Sequence, residues 1–221
     1  MEGRHSSMMT QRPSFVLFDL GNVLVHISPE AFLQRLGLDT PDRRRFYQAH
    51  INEIVRQYEC GNESTDQFLS RLELLLNGKE VETANGVRMR AIQRDEVRDA
   101  MLAVIGKPVE GMFELVAKLS GSVPLGLLSN TNPLHFDWSM EHLPVLRHIS
   151  SLFLSYRLRS LKPDARIFDQ VLTSLQVAPS SIFYIDDMPE NVDAGKNAGL
   201  NSHLFRGREG LEQELRQMGL D

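Results

Sequence analysis

The sequence predicts an α/β protein in which a doubly wound, Rossmann-like parallel sheet carries an inserted, all-helical subdomain. Three observations lead to this prediction. Short apolar runs end in polar or acidic residues, as buried parallel strands do at the sheet edge where ligands bind. Segments with helical spacing of apolar residues alternate with these runs. Residues 28–106, by contrast, contain no convincing strand.

The predicted strands share one design, an apolar run that ends in a turn. The first run, Phe15–Phe18, leads into Asp19 and turns at once through Leu20, Gly21 and Asn22. Further runs of this kind occupy residues 124–128, 151–155 and 182–185, with a shorter one at 203–205. Apolar residues recur at helical spacing over residues 109–119, 167–175 and 211–218. Strand and helix therefore alternate, as in a doubly wound sheet.

The segment between the first two strands is too long to be a single crossover helix. Its predicted helix starts are Ser28 before Pro29, Thr40 before Pro41, and Ser64 with Gln67 as a capping box. We therefore expect a catalytic core of residues 14–27 and 107–221 and a helical cap of residues 28–106. Residues 1–13 are polar and irregular, and we expect a leader that is disordered or partly derived from an expression tag.

The composition restricts the classes of partner. The chain has 221 residues, 42% of them hydrophobic and 24% charged, and a formal net charge of -5, which argues against nucleic acid. No apolar run reaches the ~18 residues that a membrane span needs. Cys60 is the single cysteine, which suits a reducing compartment, and the seven histidines show no metal-ligand spacing. We expect a cytoplasmic protein without a membrane partner.

Polar residues at or near the ends of the predicted strands are the candidate functional residues. They are Asp19, Ser129, Lys162 and the pair Asp186-Asp187. Because the carboxyl ends of parallel strands share one edge, these groups are expected to converge on one cleft. Carboxylates that meet there repel one another unless a cation joins them, and an all-oxygen set without His or Cys suits Mg²⁺.

A magnesium site of this kind points to a phosphorylated ligand. Lys162 would add a compact positive charge and Ser129 a hydroxyl donor, and the backbone amides after the second strand would accommodate anionic oxygens. With one carboxylate left free to attack, these groups suit phosphoryl transfer through an aspartyl-phosphate. The expected partner is therefore a small phosphorylated metabolite.

Four motifs make the chain resemble the haloacid dehalogenase-like (HAD) hydrolase superfamily. They are FDLGNVL, LLSNTN, LKP and IDDMPENVDAGKNAGL, which occur in this order over about residues 15–205. The stretches FDLGNV, SNTNPLH and RLRSLKPDARIF are most similar to a bacterial subgroup that hydrolyses sugar phosphates such as α-glucose 1-phosphate. The resemblance implies a phosphatase whose inserted helical cap closes over the active site.

The resemblance also implies roles for the phosphate-binding residues. Asp19 corresponds to the nucleophile of the family. Ser129 would bind the phosphoryl group, helped by the backbone of Asn130. Lys162 would neutralise charge on the nucleophile and on the phosphoryl oxygens.

The metal site implied by the resemblance is built from both ends of the chain. Its ligands would be Asp19, the backbone carbonyl of Gly21, and Asp187, with Asp186 close by or acting through water. We expect Mg²⁺ at this site.

Gly21 departs from the pattern of most phosphatases of the superfamily, which carry a general acid-base aspartate two residues after the nucleophile. Loss of such a group typically costs ~10²- to 10⁴-fold in rate. The resembling subgroup also has glycine here. The enzyme is therefore expected either to act on esters with an acidic leaving group, such as an anomeric phosphate, or to use an acid from the cap, for which Glu59 is a candidate.

Three other functions compete with the phosphatase as interpretations of these residues. A dehalogenase of the same fold needs no magnesium, and its fourth motif typically lacks the acidic pair present here as Asp186-Asp187. A response-regulator receiver has its acidic pair before the phosphorylated aspartate, the opposite order. A non-catalytic phosphometabolite sensor would keep the fold and metal site without turnover, and Gly21 is the residue that favours it.

Overall fold

The computed structural model describes residues 12–78 and 91–220. The strands are β1 (Phe15–Phe18), β2 (Val25–Ile27), β3 (Ile105–Pro108), β4 (Leu125–Ser129), β5 (Ser151–Leu154), β6 (Ile182–Asp186) and β7 (Asn201–Leu204). The helices are α1 (Glu30–Arg35), α2 (Pro41–Glu59), α3 (Thr65–Leu76), α4 (Arg94–Leu102), α5 (Met112–Leu119), α6 (Pro133–His142), α7 (Ser155–Leu158), α8 (Ala165–Leu175), α9 (Pro189–Asn197) and α10 (Arg208–Gln217). Short 3₁₀ helices lie at Pro144–His148 and Pro179–Ser181. The leader predicted at residues 1–13 lies outside the described residues except for its last two.

The main sheet has five parallel strands in the order β5-β4-β1-β6-β7. Its β1 strand is fully buried and central, because helices cover both faces of the sheet. Val16 and Phe18 pack into one apolar cluster, whereas Phe15 and Leu17 pack into another. This alternation of side chains between two cores confirms the doubly wound fold predicted from the apolar runs.

Helices α1 to α4 form a helical layer with an apolar core of its own. Among the residues of that core are Phe32, Tyr47, Tyr58, Phe68 and Val97, all buried. Tyr58 and Phe68 stack with ring centroids 4.1 Å apart, which joins α2 to α3. We call this layer, α1 to α4, the helical insertion.

Two of the three predicted helix starts are confirmed. Thr40 precedes α2 with Pro41 as its first residue, although the Thr40 side chain makes no capping bond. Ser64 and Gln67 form the complete capping box of α3. The start predicted at Ser28 lies one residue too early, because Pro29 caps α1 and the helix begins at Glu30.

A small antiparallel pair, β2 with β3, connects the helical insertion to the core. Val25 pairs with Pro108 and Ile27 with Ile105. The prediction that residues 28–106 are helical throughout is therefore wrong at the start of β3. The two strands could not be predicted, because each has only three or four residues and shows no alternation of apolar and polar side chains. The β3 strand also contains Gly106 and Pro108. A Cβ on Gly106 would lie 2.9 Å from the carbonyl oxygen of His26, so the close pairing of the two strands requires glycine here.

The apolar segments predicted as helices at 109–119, 167–175 and 211–218 correspond to α5, α8 and α10. Within the described parts of the chain, no helix has the length and hydropathy to span a bilayer.

Candidate active site

Three polar residues predicted to converge lie side by side at the carboxyl edge of the sheet. Asp19 directly follows β1, and its amide donates to the carbonyl of Ile185 at 2.9 Å. Ser129 ends β4 and Asp186 ends β6, the two neighbours of β1. All three are buried, with Asp19 only 8% exposed. Sheet order, not sequence proximity, brings these side chains together.

Lys162 joins two of the carboxylates. Its Nζ atom lies 2.9 Å from Oδ1 of Asp19 and 2.6 Å from Oδ2 of Asp186. The Lys162 side chain is almost fully buried, so both ion pairs are shielded from water. The sequence placed Lys162 near this edge, and the structure shows it between the two acids.

Asp186 accepts four hydrogen bonds, two on each carboxylate oxygen. Oδ2 accepts from Lys162 Nζ and from the Tyr184 hydroxyl, the latter at 2.5 Å. Oδ1 accepts from the Met188 amide at 2.9 Å and from Asn191 Nδ2 at 3.0 Å. The Asn191 bond joins the end of β6 to the first turn of α9. Because protein donors already use the lone pairs of Asp186, this residue suits a contact to a cation through water better than direct ligation.

Asp187 is more open than Asp186 and lies opposite Asn22. Asn22 Nδ2 donates to Asp187 Oδ2 at 3.0 Å, and the Asn22 Oδ1 atom accepts from the Ile27 amide at 3.0 Å. One oxygen each from Asp19, Asp186 and Asp187 lie within 4.8 Å of one another. Oxygen donors at this spacing fit a hard divalent cation such as Mg²⁺.

The charged side chains of this cluster shift one another's pKa values. Burial raises the pKa of Asp19 to about 6, with Lys162 opposing that rise and Asp186 adding to it. Burial also acts to raise the pKa of Asp186, but Lys162 and the surrounding donors outweigh it and hold that pKa below its usual value. Burial by itself would lower the pKa of Lys162. The two adjacent carboxylates outweigh that effect, so the pKa lies above its usual value. A bound cation would favour the ionised form of Asp19.

Asn130 holds the loop that carries Lys162. Its Nδ2 atom donates to the Lys162 carbonyl at 2.9 Å, and its Oδ1 atom accepts from the Lys162 amide at 2.8 Å. The Asn130 side chain therefore holds the backbone of Lys162, the residue whose ammonium group neutralises Asp19. The sequence suggested a backbone role for Asn130, and it did not reveal this second role of its side chain.

A cavity of about 240 Å³ lies between the helical insertion and the carboxyl edge of the sheet. The core contributes Gly21, Ser129 and Asn130 to its wall. The α2 helix contributes one stripe of side chains, Gln48, Ile51, Asn52, Val55 and Glu59. Any molecule bound there would touch both parts of the chain.

The cavity wall contains two side chains that titrate, Glu59 and His135. Burial raises the pKa of Glu59 to about 7. Burial lowers the pKa of His135, although its bond to the Met101 carbonyl acts in the opposite direction. Nε2 of His135 lies 2.9 Å from that carbonyl and Nδ1 lies 3.2 Å from Asn132 Nδ2, so both ring nitrogens are engaged as in a neutral imidazole.

Position 21 has little room for a side chain. A Cβ built on Gly21 would lie 3.1 Å from Cγ1 of Ile27 and 4.0 Å from Oδ2 of Asp19. Ile27 belongs to β2, so the small antiparallel pair fills the space where a larger residue at position 21 would extend. The packing around position 21 therefore suits glycine and leaves little space for an aspartate side chain.

Two residues of the cluster were missed by sequence reasoning, Tyr184 and Asn22. Tyr184 reads as one more apolar residue of a buried strand, and its hydroxyl contact depends on the geometry of Asp186. Asn22 was recognised only as a turn residue. No sequence signal identified its role, because its positive φ of 52° and its bond to Asp187 are known only from the structure.

Comparison with known proteins identifies a family of hydrolases to which the chain is similar. A family model described as haloacid dehalogenase-like hydrolase matches residues 39–205. The chain is also 29% identical over 209 residues to D-ribitol-5-phosphate phosphatase of Bacteroides thetaiotaomicron, covering 90% of this chain and 95% of the relative.

Solved structures with the same fold include an HAD family enzyme of Bacteroides thetaiotaomicron. One structure of that enzyme has a TM-score of 0.78 and 21% identity, and the alignment covers 93% of this chain and 100% of the other. A second, the wild-type enzyme in complex with magnesium and inorganic phosphate, has a TM-score of 0.72 and 20% identity, with 88% and 95% coverage.

Proposed function

The chain belongs to the haloacid dehalogenase-like hydrolase family, and from that premise we propose that it is a magnesium-dependent phosphatase of small phosphorylated metabolites. One observation carries the proposal. Lys162 Nζ lies 2.9 Å from Asp19 and 2.6 Å from Asp186. One oxygen from each of these carboxylates and one from Asp187 lie within 4.8 Å of one another. A nucleophile, a charge-neutralising lysine and a divalent-cation site are the groups that phosphoryl transfer through aspartate needs.

Mg²⁺ would be held by Asp19, Asp187 and the carbonyl of Gly21, with Asp186 contacting it through water. The four protein donors on Asp186 support this assignment. When bound, the ion neutralises charge on the transferring phosphoryl group. The wild-type relative of known structure that contains magnesium and phosphate supports this choice of ion.

In the first half of the proposed reaction, a carboxylate oxygen of Asp19 attacks phosphorus and the bond to the bridging oxygen breaks. The bridging oxygen takes up a proton, so the products are an aspartyl-phosphate and the free alcohol. Lys162 lowers the repulsion between Asp19 and the phosphoryl oxygens, which the Ser129 hydroxyl and the Asn130 backbone also contact. Water then attacks the phosphorus of the acyl phosphate and gives up a proton, which restores the Asp19 carboxylate and releases inorganic phosphate.

The helical insertion acts in this proposal as a cap that encloses the leaving group, as expected of residues 28–106. Its α2 helix and the phosphate-binding residues share one cavity, which supports this role. A sugar or sugar-alcohol phosphate is the favoured substrate. The related D-ribitol-5-phosphate phosphatase supports this class, because it matches this chain over almost its whole length.

A panel of sugar, sugar-alcohol, nucleotide and small-acid phosphates, assayed for phosphate release, tests the proposal. We expect turnover of at least one sugar or sugar-alcohol phosphate with Mg²⁺, loss of turnover with excess EDTA, and background rates for the Asp19→Asn variant. Activity that survives EDTA or Asp19→Asn would contradict the mechanism.

Gly21 favours a second candidate, a non-catalytic protein that binds a phosphorylated metabolite. The same panel separates the two functions when calorimetric binding is measured beside turnover. Magnesium-dependent binding without phosphate release from any compound would support the binding protein and exclude the phosphatase.

A further inference from the structure

Glu59 is the only titratable side chain of the described cavity wall that has no protein partner. The structure gives its carboxylate no hydrogen bond or ion pair within the described residues. His135, the other titratable group, uses both ring nitrogens in protein contacts. A proton can therefore pass between the protein and a molecule in this cavity at Glu59 without breaking an existing hydrogen bond.

The end of α2 is held directly against the core beside the loop that follows β4. The Leu134 amide, one residue into α6, donates to the hydroxyl of Tyr58 at 3.2 Å. Two residues beyond Glu59, the Gly61 carbonyl accepts from Arg159 at 3.2 Å. These contacts hold the end of α2 against the core, and Glu59 lies there in the same cavity wall as Gly21 and Ser129.

The protonated form of Glu59 is favoured in this environment. Burial raises its pKa to about 7, and no cation lies close enough to reverse that effect. Glu59 is also the last residue of α2, where the helix dipole disfavours negative charge. A carboxyl group that is neutral near neutral pH can donate a proton, as a general acid requires.

The cavity wall also restricts the charge of the leaving group. None of its described residues is Lys or Arg, and apolar side chains such as Phe32, Ile51 and Met101 form much of it. A leaving group with a second anionic group would face Glu59 there without a cation. Gln48 and Asn52 offer amide groups to hydroxyls at the exposed end of the α2 stripe.

We propose that Glu59 is the general acid and base of this site, supplied by the helical insertion in place of an aspartate at position 21, and that it serves an uncharged alcohol leaving group. The proposal rests on the proposed phosphatase function. As the bond between phosphorus and the bridging oxygen breaks, the Glu59 carboxyl transfers its proton to that oxygen, and the alcohol leaves. The Glu59 carboxylate then takes a proton from the water that attacks the aspartyl-phosphate, which restores the starting state.

The leaving group provides the test, because an acidic phenol departs without a proton whereas an alkyl alcohol does not. We compare kcat/KM for 4-nitrophenyl phosphate and for the best sugar or sugar-alcohol phosphate in the wild type and in Glu59→Gln. The expected loss in Glu59→Gln is ~10²- to 10⁴-fold for the alkyl ester and less than about tenfold for the aryl ester. Glu53→Gln, on the same helix but outside the cavity wall, is the matched control and should leave both rates unchanged.

Equal losses for the two esters, or no loss for the alkyl ester, would overturn the role of Glu59 while leaving the phosphatase intact. Absence of turnover of both esters by the wild type would overturn the phosphatase function as well. Glu59→Asp keeps an acid one methylene further away and should retain more alkyl phosphatase activity than Glu59→Gln. An Asp variant no better than Gln would count against proton transfer, provided both unfold at the wild-type temperature.

Discussion

Asn22 donates a hydrogen bond from Nδ2 to Oδ2 of Asp187 at 3.0 Å, although the two residues lie at opposite ends of the polypeptide. The same side chain accepts from the amide of Ile27, so it is held from both ends. Asn22 therefore fixes the orientation of the carboxylate that we assign as the direct ligand of Mg²⁺. Partners of this kind orient metal ligands and tune their affinity.

Replacing Asn22 should accordingly weaken Mg²⁺ binding. In Asn22→Gly the positive φ is tolerated but the bond to Asp187 is lost. We expect the Mg²⁺ affinity, measured by calorimetry and by the Mg²⁺ dependence of turnover, to fall by about 10- to 100-fold. Gln176→Gly is the matched control, because Gln176 has a similar φ of 53° far from the carboxylates. Equal Mg²⁺ affinity in both variants and the wild type would contradict the role of Asn22.

Removal of Lys162 should destabilise the protein in a pH-dependent way. In Lys162→Met, two buried carboxylates lose their shared cation, which typically costs about 3–5 kcal/mol when a buried pair is broken. Their folded-state pKa values then rise above the unfolded values, so the cost grows as pH increases through those values and shrinks in acid. Urea unfolding of both proteins in EDTA at pH 5 and pH 7 measures this. A difference in stability that is larger at pH 5 would contradict the charge argument.

Loss of the Asn130 side chain should impair turnover through Lys162. Asn130→Ala removes two bonds to the Lys162 backbone, each with a net stabilisation of about 1 kcal/mol. Because Lys162 is then held less precisely, we expect kcat to fall by up to about 100-fold, with a smaller change in KM. Asn62→Ala removes an exposed bond to Gln57 and should leave kcat unchanged. Equal kcat in Asn130→Ala and the wild type would show that Lys162 needs no such support.

The Glu59 carboxyl should also leave a signature in stability. Its pKa is raised from 4.5 to about 7 by burial, so its favourable contribution is complete below about 4.5 and is lost as pH rises through about 7. Glu59→Gln stays neutral, and its free energy of unfolding should therefore increase relative to the wild type by an amount of order 1 kcal/mol between pH 5 and pH 8. Denaturant titrations at both pH values measure the change. If the relative stability of Glu59→Gln does not change with pH, then Glu59 is ionised in the folded protein.

Prediction from the sequence succeeded where a side chain's position follows from the strand that ends beside it. Asp19, Ser129 and Asp186 each lie at the end of a short apolar run, so their convergence could be expected once the runs were recognised as parallel strands. The pair β2 and β3 could not be recognised, since its strands are too short to show periodicity. Tyr184 and Asn22 were missed for a different reason, because their contacts with the carboxylates depend on exact side-chain geometry.

The sequence by itself determined the doubly wound core, the presence of a helical insertion, and the acids and lysine available for chemistry. These features could be predicted because strand burial and helical periodicity depend on short stretches of residues. Only the tertiary structure decided which atoms meet. It placed Lys162 between Asp19 and Asp186. It also surrounded the Asp186 carboxylate with protein hydrogen-bond donors and brought Glu59 into the cavity beside Gly21. Such contacts depend on strand order and on the docking of α2 against the core, which local sequence does not encode.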